Sequence, residues 1–527
     1  MLEICRKSGK KDVVSLASVL IISAAVFVVA ASGKRIQFCD EVFSYTITNS
    51  DSPLYQLDEN IWYTQEEFAD KLTHTGTDSL GQTIEMVKQD YVHPPLYYIF
   101  FYISSVVSGA DFSKWTGLSV NFIFFMGTQV FVWLIVRKIF RSPFAAFAAC
   151  VIYAVNQSTL SNMCLVRMYM MMTFFLAAFV YINLLIMDRE VPGIRLYVWL
   201  GAVTAGGFLT QYYFALFAVL FFIAEAVGCC INRRYKEIFM YLGAMAGAVL
   251  LSTVVWSFWV EAILRRFVAS SVAGRSVSLL DNISLMLDGL VIMQMSVFQW
   301  GYKAAEWLVP ALIIVFLVIP ADREAYRGSR ELVIRLTVAA VFYAGLVRCI
   351  SPLNSTRYYY PADMLEILVV IICVFSLASR TGRTTVNVLV WTAMFVGSVL
   401  LTVNGFGIDY YGSGREYDTQ QDILGQYGEI PYIIVGGESI EVSGSLPGFL
   451  PASDIIRITH DYGADGAQVL EDADRFIIVC PGDENGDSDT ADYGLYYYIV
   501  STGNFAGRDF LFRRNGLNYY LGQRQNY

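Results

Sequence analysis

Long apolar runs alternate with short charged loops along the chain up to about residue 404. The runs are roughly 16 to 25 residues long, and a helix needs about 20 apolar residues to cross a bilayer. The pattern therefore predicts an all-α polytopic membrane protein. We predict eleven spanning helices, near residues 13–32, 117–136, 143–160, 168–187, 196–211, 212–231, 236–260, 306–320, 331–350, 361–378 and 386–404.

Two further apolar stretches are predicted to lie on the outer surface of the membrane. Residues 96–108 are too few to span, and residues 283–299 contain Asp288. If neither stretch crosses, the basic short loops all fall on the side of the amino terminus, as the positive-inside rule requires. These loops hold Arg137, Lys138 and Arg141; Arg189 and Arg195; Arg233, Arg234 and Lys236; Arg323, Arg327 and Arg330; and Arg380 and Arg383.

This topology predicts a cell membrane location, with the amino terminus in the cytoplasm. The first loop, residues 33–116, and the carboxyl terminus then face the extracytoplasmic side. We interpret the first apolar run as a retained helix. A signal peptide cleaved near Ala30-Ala31-Ser32 is the alternative.

The composition agrees with a membrane protein and excludes several other classes. Hydrophobic residues make up 56% of the chain and charged residues 16%, and the mean hydropathy is +0.49. Ordinary soluble domains carry about a quarter charged residues. No basic patch with interleaved aromatic residues indicates a nucleic-acid partner. The nine cysteines are scattered, mostly in apolar runs, where they are typical of small buried hydrophobic residues.

The composition changes after residue 404, where Gly, Asp, Tyr and Pro become frequent. Short apolar runs at 431–435, 454–458 and 475–479 are typical of buried parallel strands. We therefore predict two domains, a membrane domain at 1–404 and a small extracytoplasmic α/β domain at 405–527. Residues 483–489 space oxygen ligands as calcium loops do, but the sixth position lacks glycine, so a solvated acidic turn is the default interpretation.

An acidic pair, Asp40-Glu41, follows the first apolar run at the predicted outer surface. Desolvation near lipid raises the pKa of a carboxyl group, which suits a general base working near neutral pH. We predict that both Asp40 and Glu41 are catalytic residues with different roles, and Asp40 is the better candidate base. The alternative is that the pair only caps and solvates the end of a helix.

A second polar cluster ends the same loop, with Asp90 and His93 before Pro94-Pro95. The prolines fix the backbone and begin a helix that carries Tyr97 and Tyr98. We predict that Asp90, His93, Tyr97 and Tyr98 bind substrate. The alternative is that Asp40, Asp90 and His93 hold a divalent cation. The chain has only three histidines, so we do not predict a metal site at this cluster. We predict no metal and no cofactor, with a divalent cation as the alternative.

Two solitary arginines, Arg167 and Arg357, lie in short loops on the predicted outer face. The guanidinium group presents a rigid fork of donors that suits phosphate oxygens. Each arginine has a nearby tyrosine, Tyr169 and Tyr358. Snorkelling to the interface or pairing with a carboxylate is the alternative role for each arginine.

These motifs, taken in order, resemble those of the GT-C glycosyltransferases. They are Asp40-Glu41, Asp90-Tyr-Val-His93-Pro94-Pro95-Leu-Tyr97-Tyr98, Arg167-Met-Tyr169 and Arg357-Tyr358-Tyr-Tyr-Pro361. The resemblance covers roughly residues 1–404. It is strongest to bacterial members related to protein O-mannosyltransferases and the lipid A aminoarabinose transferase, in glycosyltransferase family 39 and its relatives.

The resemblance implies a transferase that takes a sugar from a polyprenyl-phosphate or polyprenyl-diphosphate donor outside the cytoplasm. It implies that Asp40 is the catalytic acidic residue and that Arg167 and Arg357 hold the donor phosphate. The tyrosines would shape the pocket for the sugar and the lipid. Nothing in the chain resembles the large lumenal repeat domain of the protein-mannosylating members. The acceptor therefore stays open between a protein and a glycan, lipid or cell-wall polymer.

The alternative function is that of a polytopic transporter or lipid flippase. That class predicts ionisable groups near the bilayer midplane and inverted repeats, whereas the apolar runs contain few charges and show no such repeat. A sensor would need a cytoplasmic signalling module, and no loop on the cytoplasmic side is long enough.

Overall fold

The computed structural model provides the architecture of the chain. It describes residues 9–35, 37–50, 58, 61–76, 78–109, 112–188, 193–272, 279–319, 327–351, 355–404, 414–427, 430–435, 442, 445–450, 452–458, 475–481, 505–514 and 517–524. The acidic loop at 483–489, interpreted above as a solvated turn, lies outside these residues. The chain divides into two compact units, one made of residues 1–32, 91–97 and 118–409 and the other of residues 33–90, 98–117 and 410–527.

The regular secondary structure described in the first unit is helical. Its helices are α1 (Lys10–Gly33), α6 (Lys114–Phe140), α7 (Pro143–Ala154), α8 (Gln157–Cys164), α9 (Tyr169–Asp188), α10 (Ile194–Thr210), α11 (Phe214–Ile231), α12 (Tyr235–Val255), α13 (Trp259–Val272), α14 (Leu279–Phe298), α15 (Tyr302–Val318), α16 (Arg327–Ile350), α17 (Tyr360–Ser379) and α18 (Thr384–Asn404).

Nine helices within the described part of the chain are long and apolar enough to cross a membrane. The stretch that we predicted at the outer surface, now helix α14, passes the same test over Leu280–Phe298, so its surface position stays a prediction. The segment 96–108 is a helix of 13 residues, shorter than a spanning helix requires. Helices α10 and α11 are separate, as predicted, with the break at Gln211.

The predicted span at 143–160 is broken in the structure. Helix α7 ends at Ala154, and the paired helix α8 is bent from it by 65°. Asn156 favours the start of a new helix here, because its side chain accepts a hydrogen bond from the Ser158 N–H and caps α8. The short α8 thus brings polar residues into the buried interior, among them Ser158 at 2% exposure.

Polar contacts between helices hold the first unit together. The Arg137 guanidinium donates to both carboxylate oxygens of Asp12, at 2.6 and 3.2 Å, and ties α6 to α1. Arg348 on α16 donates to Asp288 on α14 at 2.7 Å. A buried ion pair joins Arg335 to Glu225, on helices α16 and α11. Paired in this way, the charges avoid the cost of isolated ions in a low-dielectric interior.

The second unit combines the first loop with the carboxyl-terminal residues. Its elements from the first loop are α2 (Cys39–Asn49), β1 (Trp62–Thr64), α3 (Gln65–Asp70), α4 (Leu80–Asp90) and most of α5 (Leu96–Ser108). Its later elements are α19 (Gly414–Gly425), β2 (Tyr432–Val435), β3 (Asp454–Ile458), β4 (Arg475–Pro481), β5 (Phe505–Arg514) and β6 (Leu517–Arg524).

One six-stranded sheet forms the core of this unit, in the order β1-β3-β2-β4-β6-β5. The three apolar runs predicted as strands form its centre, and β2 pairs in parallel with both β3 and β4, as expected. Their side chains are almost fully buried, including Ile433, Ile456 and Phe476. Strands β5 and β6 form an antiparallel hairpin next to β4.

The edge strand β1 comes from the first loop, which the sequence analysis did not predict. Trp62 and Thr64 pair with Ile456 and Asp454 of the antiparallel β3. Tyr63 on this strand donates to Asp58 at 2.5 Å, and burial with this contact raises the pKa of Tyr63 to about 12. The second unit therefore includes residues 33–90 in addition to most of the predicted domain at 405–527.

Candidate functional site

Arg167 lies in the tight turn between α8 and α9, and a side chain from α6 helps to fix this turn. Asn121 on α6 donates from Nδ2 to the backbone oxygens of Met163 at 3.1 Å and Leu165 at 2.6 Å. The Arg167 N–H donates to Leu165 O at 2.7 Å. The arginine is buried, with 3% of its surface exposed. A guanidinium group is thus held in place inside the first unit.

His93 contacts this arginine directly. The Arg167 Nη2 atom lies 2.9 Å from His93 Nε2. Since a guanidinium group has only donors, Nε2 must accept this hydrogen bond, so the imidazole is neutral and its proton is on Nδ1. Pro94 restricts His93 to extended backbone conformations, which helps to fix the ring. The Nε2 atom is therefore engaged with Arg167, and Nδ1 carries the proton, so neither nitrogen of this tautomer is open to the cation considered above.

Tyr358 is the centre of an aromatic cluster on the same unit. Its ring is edge-on to Tyr169 and Tyr213, at centroid distances of 6.0 and 5.8 Å. The Arg357 guanidinium lies 5.1 Å from the same ring, within the range of a cation–π contact. Tyr343 donates to the backbone oxygen of Tyr358 at 3.1 Å. We call these three tyrosines, 169, 213 and 358, the tyrosine cluster.

The tyrosine cluster joins the two predicted arginine motifs. Tyr169 follows Arg167 by two residues, and Tyr358 follows Arg357 directly, so the ring contact brings the two loops together. Arg357 is 4% exposed, which makes both arginines buried cations. Burial also raises the pKa of the neighbouring Tyr359 well above its ordinary value, so this hydroxyl remains protonated. A site with two cations and neutral phenols favours an anionic ligand.

Glu41 has a defined structural contact in the second unit. Its carboxylate lies 2.9 Å from Lys34 Nζ, with side-chain exposures of 0% and 1%. The same oxygen accepts the Phe38 N–H at 2.6 Å, which caps α2. Lys114 donates to the backbone oxygen of Lys34 at 2.5 Å. These contacts indicate that Glu41 anchors the start of α2, in line with the capping alternative for this residue.

Asp40 differs from its neighbour, since its side chain is only partly buried at the first turn of α2. Its backbone oxygen accepts a hydrogen bond from Ser44 at 3.4 Å. Buried Tyr45 follows on the same helix, and burial and the Glu41 charge raise the pKa of this phenol. Asp40 is thus the more accessible of the two predicted acids.

The predicted site residues divide between the two units. His93, Tyr97, Arg167, Tyr169, Arg357 and Tyr358 belong to the first unit, and Asp40, Glu41, Asp90 and Tyr98 belong to the second. Asp90, at the end of α4, is buried, and Tyr97 and Tyr98 are fully buried.

The structure adds Asn121, Tyr213 and Tyr343 to the site, and the sequence analysis missed all three. Tyr213 could have been identified from the sequence, because two tyrosines interrupt the apolar runs at the turn between α10 and α11. Asn121 and Tyr343 lie within long apolar helices, where a single polar group indicates no particular partner.

One group of potential metal ligands occurs among the described residues. The ligand atoms of Glu225, Cys229 and Glu237 lie within 4.8 Å of one another. Both carboxylates already pair with arginines, Glu225 with Arg335 and Glu237 with Arg234. These arginines already supply the positive charge that would balance the two carboxylates.

Comparison with known proteins supports the resemblance drawn from the sequence. Residues 92–259 match the family model for dolichyl-phosphate-mannose-protein mannosyltransferase. This stretch contains His93, Arg167, Tyr169 and Tyr213. No curated protein matches the chain.

Three solved structures of glycosyltransferases match the chain, and one of them, ArnT, has a TM-score above 0.5. ArnT from Cupriavidus metallidurans, bound to undecaprenyl phosphate, matches with a TM-score of 0.51 at 11% identity, over 96% of this chain and 97% of that one. The oligosaccharyltransferase AglB from Archaeoglobus fulgidus matches with a TM-score of 0.43 at 11% identity, over 96% and 74% of the two chains. Arabinofuranosyltransferase AftD from Mycobacteria matches with a TM-score of 0.43 at 12% identity, over 97% and 41%.

The ArnT match covers nearly the full length of both chains, and the family model matches the segment that carries the histidine–arginine contact. The chain is a multi-pass membrane protein with the fold of the GT-C glycosyltransferases, and its sequence over residues 92–259 resembles that of the mannosyltransferase branch.

Proposed function

We propose that this protein is a membrane glycosyltransferase that takes a hexose or pentose from a polyprenyl-phosphate donor. The acceptor is an extracytoplasmic glycan, lipid, cell-wall polymer or protein. The observation that carries the proposal is the pair of buried arginines whose loops meet at the tyrosine cluster. The undecaprenyl phosphate in the ArnT structure supports a donor of this kind.

In this proposal, Arg167 and Arg357 bind the donor phosphate. Transfer breaks the bond between the anomeric carbon and the phosphate oxygen, and the leaving polyprenyl phosphate gains negative charge. Guanidinium groups in a buried site stabilise that charge more than they would in water. His93 accepts one Arg167 hydrogen at 2.9 Å and so helps to orient the guanidinium group toward the phosphate.

The tyrosine cluster then binds the sugar or the first part of the lipid. Aromatic faces suit the apolar face of a sugar ring and the isoprenoid chain, while phenol groups serve its hydroxyls. Tyr358 is held on three sides, by Tyr169, by Tyr213 and by the Tyr343 hydrogen bond to its backbone. A rigid platform of this kind lowers the entropy cost of positioning the reacting carbon.

Asp40 acts as general base. It accepts the proton of an acceptor hydroxyl while that oxygen bonds to the anomeric carbon from the side opposite the phosphate. A single displacement inverts the configuration at that carbon. Asp40 is better suited than Glu41, because the Glu41 carboxylate is committed to Lys34 and to the α2 cap.

Binding of undecaprenyl phosphate tests the phosphate site without knowledge of the sugar. A ligand that binds only the folded protein stabilises it, by about 2.7 kcal/mol at 100 times its Kd. We expect a rise in the thermal midpoint of the wild-type protein in detergent that is strongly reduced in Arg167→Lys and Arg357→Lys. A lysine keeps the charge but loses the fork of donors.

Arg195→Lys is the matched control, because Arg195 is exposed on α10. The control is expected to respond like the wild type. Equal stabilisation of the wild type, the control and both site variants would contradict the proposed phosphate site.

A further inference from the structure

A carboxyl and an amide that the proposed function does not use meet inside the first unit. Glu366 lies on α17 and is 5% exposed. Gln294 lies on α14, and its Nε2 donates a hydrogen bond to Glu366 Oε1. The Glu366 side chain and the Gln294 Oε1 atom are buried, so this contact lies in a low-dielectric environment.

The remaining polar atoms of this pair lack partners. Gln294 Oε1 and Glu366 Oε2 are buried, and neither has a hydrogen-bond partner among the described residues. Both are acceptors if Glu366 is ionised, so neither can satisfy the other. Exchanging the amide nitrogen and oxygen of Gln294 does not change the number of acceptors without a donor, since an amide has one acceptor oxygen in either orientation.

The surrounding charges do not favour an anion at this position. Asp363 lies one turn earlier on α17 and accepts hydrogen bonds from Ser158 at 2.5 Å and Ser296 at 2.6 Å, as a carboxylate does. The nearest charged residue of α14 along the chain, Asp288, already pairs with Arg348 of α16. A Glu366 anion would therefore add charge to an acidic helix face without a counter-ion among its described contacts.

We propose that the Glu366–Gln294 pair is a proton-binding site, in which Glu366 is held as the neutral acid. A proton on Oε2 donates to Gln294 Oε1, while Nε2 donates to Glu366 Oε1. One proton thus satisfies both unpartnered atoms and closes a ring of two hydrogen bonds. The neutral pair fastens α14 to α17 inside the first unit.

Infrared spectroscopy of the full-length protein in lipid nanodiscs at neutral pH tests this proposal. The spectrum of the wild type minus that of Glu366→Gln is expected to contain the carbonyl band of a protonated carboxyl group. The variant is expected to keep the wild-type thermal midpoint, because two amides form the same two hydrogen bonds. Carboxylate bands in the difference spectrum, with or without sodium in the buffer, would overturn the proposal.

Gln294→Leu provides a second test, which is independent of how well Glu366→Gln folds. Removing the amide is expected to shift the protonated carboxyl band of Glu366, since its hydrogen bond is lost. A band at the wild-type position in this variant would refute the pairing. Neither measurement depends on sugar transfer, so failure here is distinguishable from failure of the proposed function.

Discussion

The buried pair of Lys34 and Glu41 offers a sharp test of how the first loop is held. The two side chains are 1% and 0% exposed and lie 2.9 Å apart. In Glu41→Gln, the amide oxygen still accepts the Phe38 N–H, so the helix cap remains and only the charge is lost. The Lys34 ammonium is then buried without its counter-ion.

Breaking a buried ion pair from one side costs about 3–5 kcal/mol. This corresponds to a loss of two to almost four powers of ten in the folding equilibrium, at about 1.4 kcal/mol for each factor of ten. Unfolding of the detergent-solubilised protein in urea, followed by tryptophan fluorescence, measures the change. The double variant Lys34→Met with Glu41→Gln is expected to recover most of the stability, because it removes both charges and keeps the acceptor for the Phe38 N–H.

Equal stability of Glu41→Gln and the wild type would refute this account of Glu41. The double variant also separates structure from chemistry. If Glu41 only anchors α2, the folded double variant retains sugar transfer. A folded double variant without activity would instead assign Glu41 to the reaction.

Two other predictions concern the histidine–arginine contact and the topology. His93→Ala removes the acceptor for Arg167, and a hydrogen bond to a charged group contributes about 1.5–3 kcal/mol, so the KM for the donor is expected to rise roughly 10- to 150-fold. An unchanged KM would show that His93 does not orient this arginine. Cysteines introduced at residues 85 and 141 are expected to react with a membrane-impermeant thiol reagent from opposite sides; reaction from one side would contradict the positive-inside topology.

The local patterns predicted much of the fold. Apolar runs marked most of the spanning helices, and three β-rich segments marked the parallel core of the sheet. The order of arginine and tyrosine motifs indicated the buried cations of the first unit, because each motif lies in a short loop between apolar runs. These features depend on residues that are close in sequence.

Features that depend on distant partners were not predictable. Strand β1 has three residues, too few for a period-two pattern, and its partner Asp454–Ile458 comes from the other end of the chain. The break at Asn156 interrupts an apolar run without glycine or proline, the usual signals of a break. The contact of Glu41 with Lys34 depends on how the chain turns after α1, which hydropathy does not report.

Sugar transfer by Asp40→Asn tests the central claim most directly. The wild-type protein in proteoliposomes, given undecaprenyl-phosphate-linked sugars and membrane-derived acceptors, is expected to release undecaprenyl phosphate as sugar is transferred. A general base contributes about 10²–10⁴-fold to the rate, so Asp40→Asn should lose that factor, while Asp422→Asn, at an exposed carboxylate of the second unit, should not. Transfer at the wild-type rate by folded Asp40→Asn would contradict the proposed mechanism.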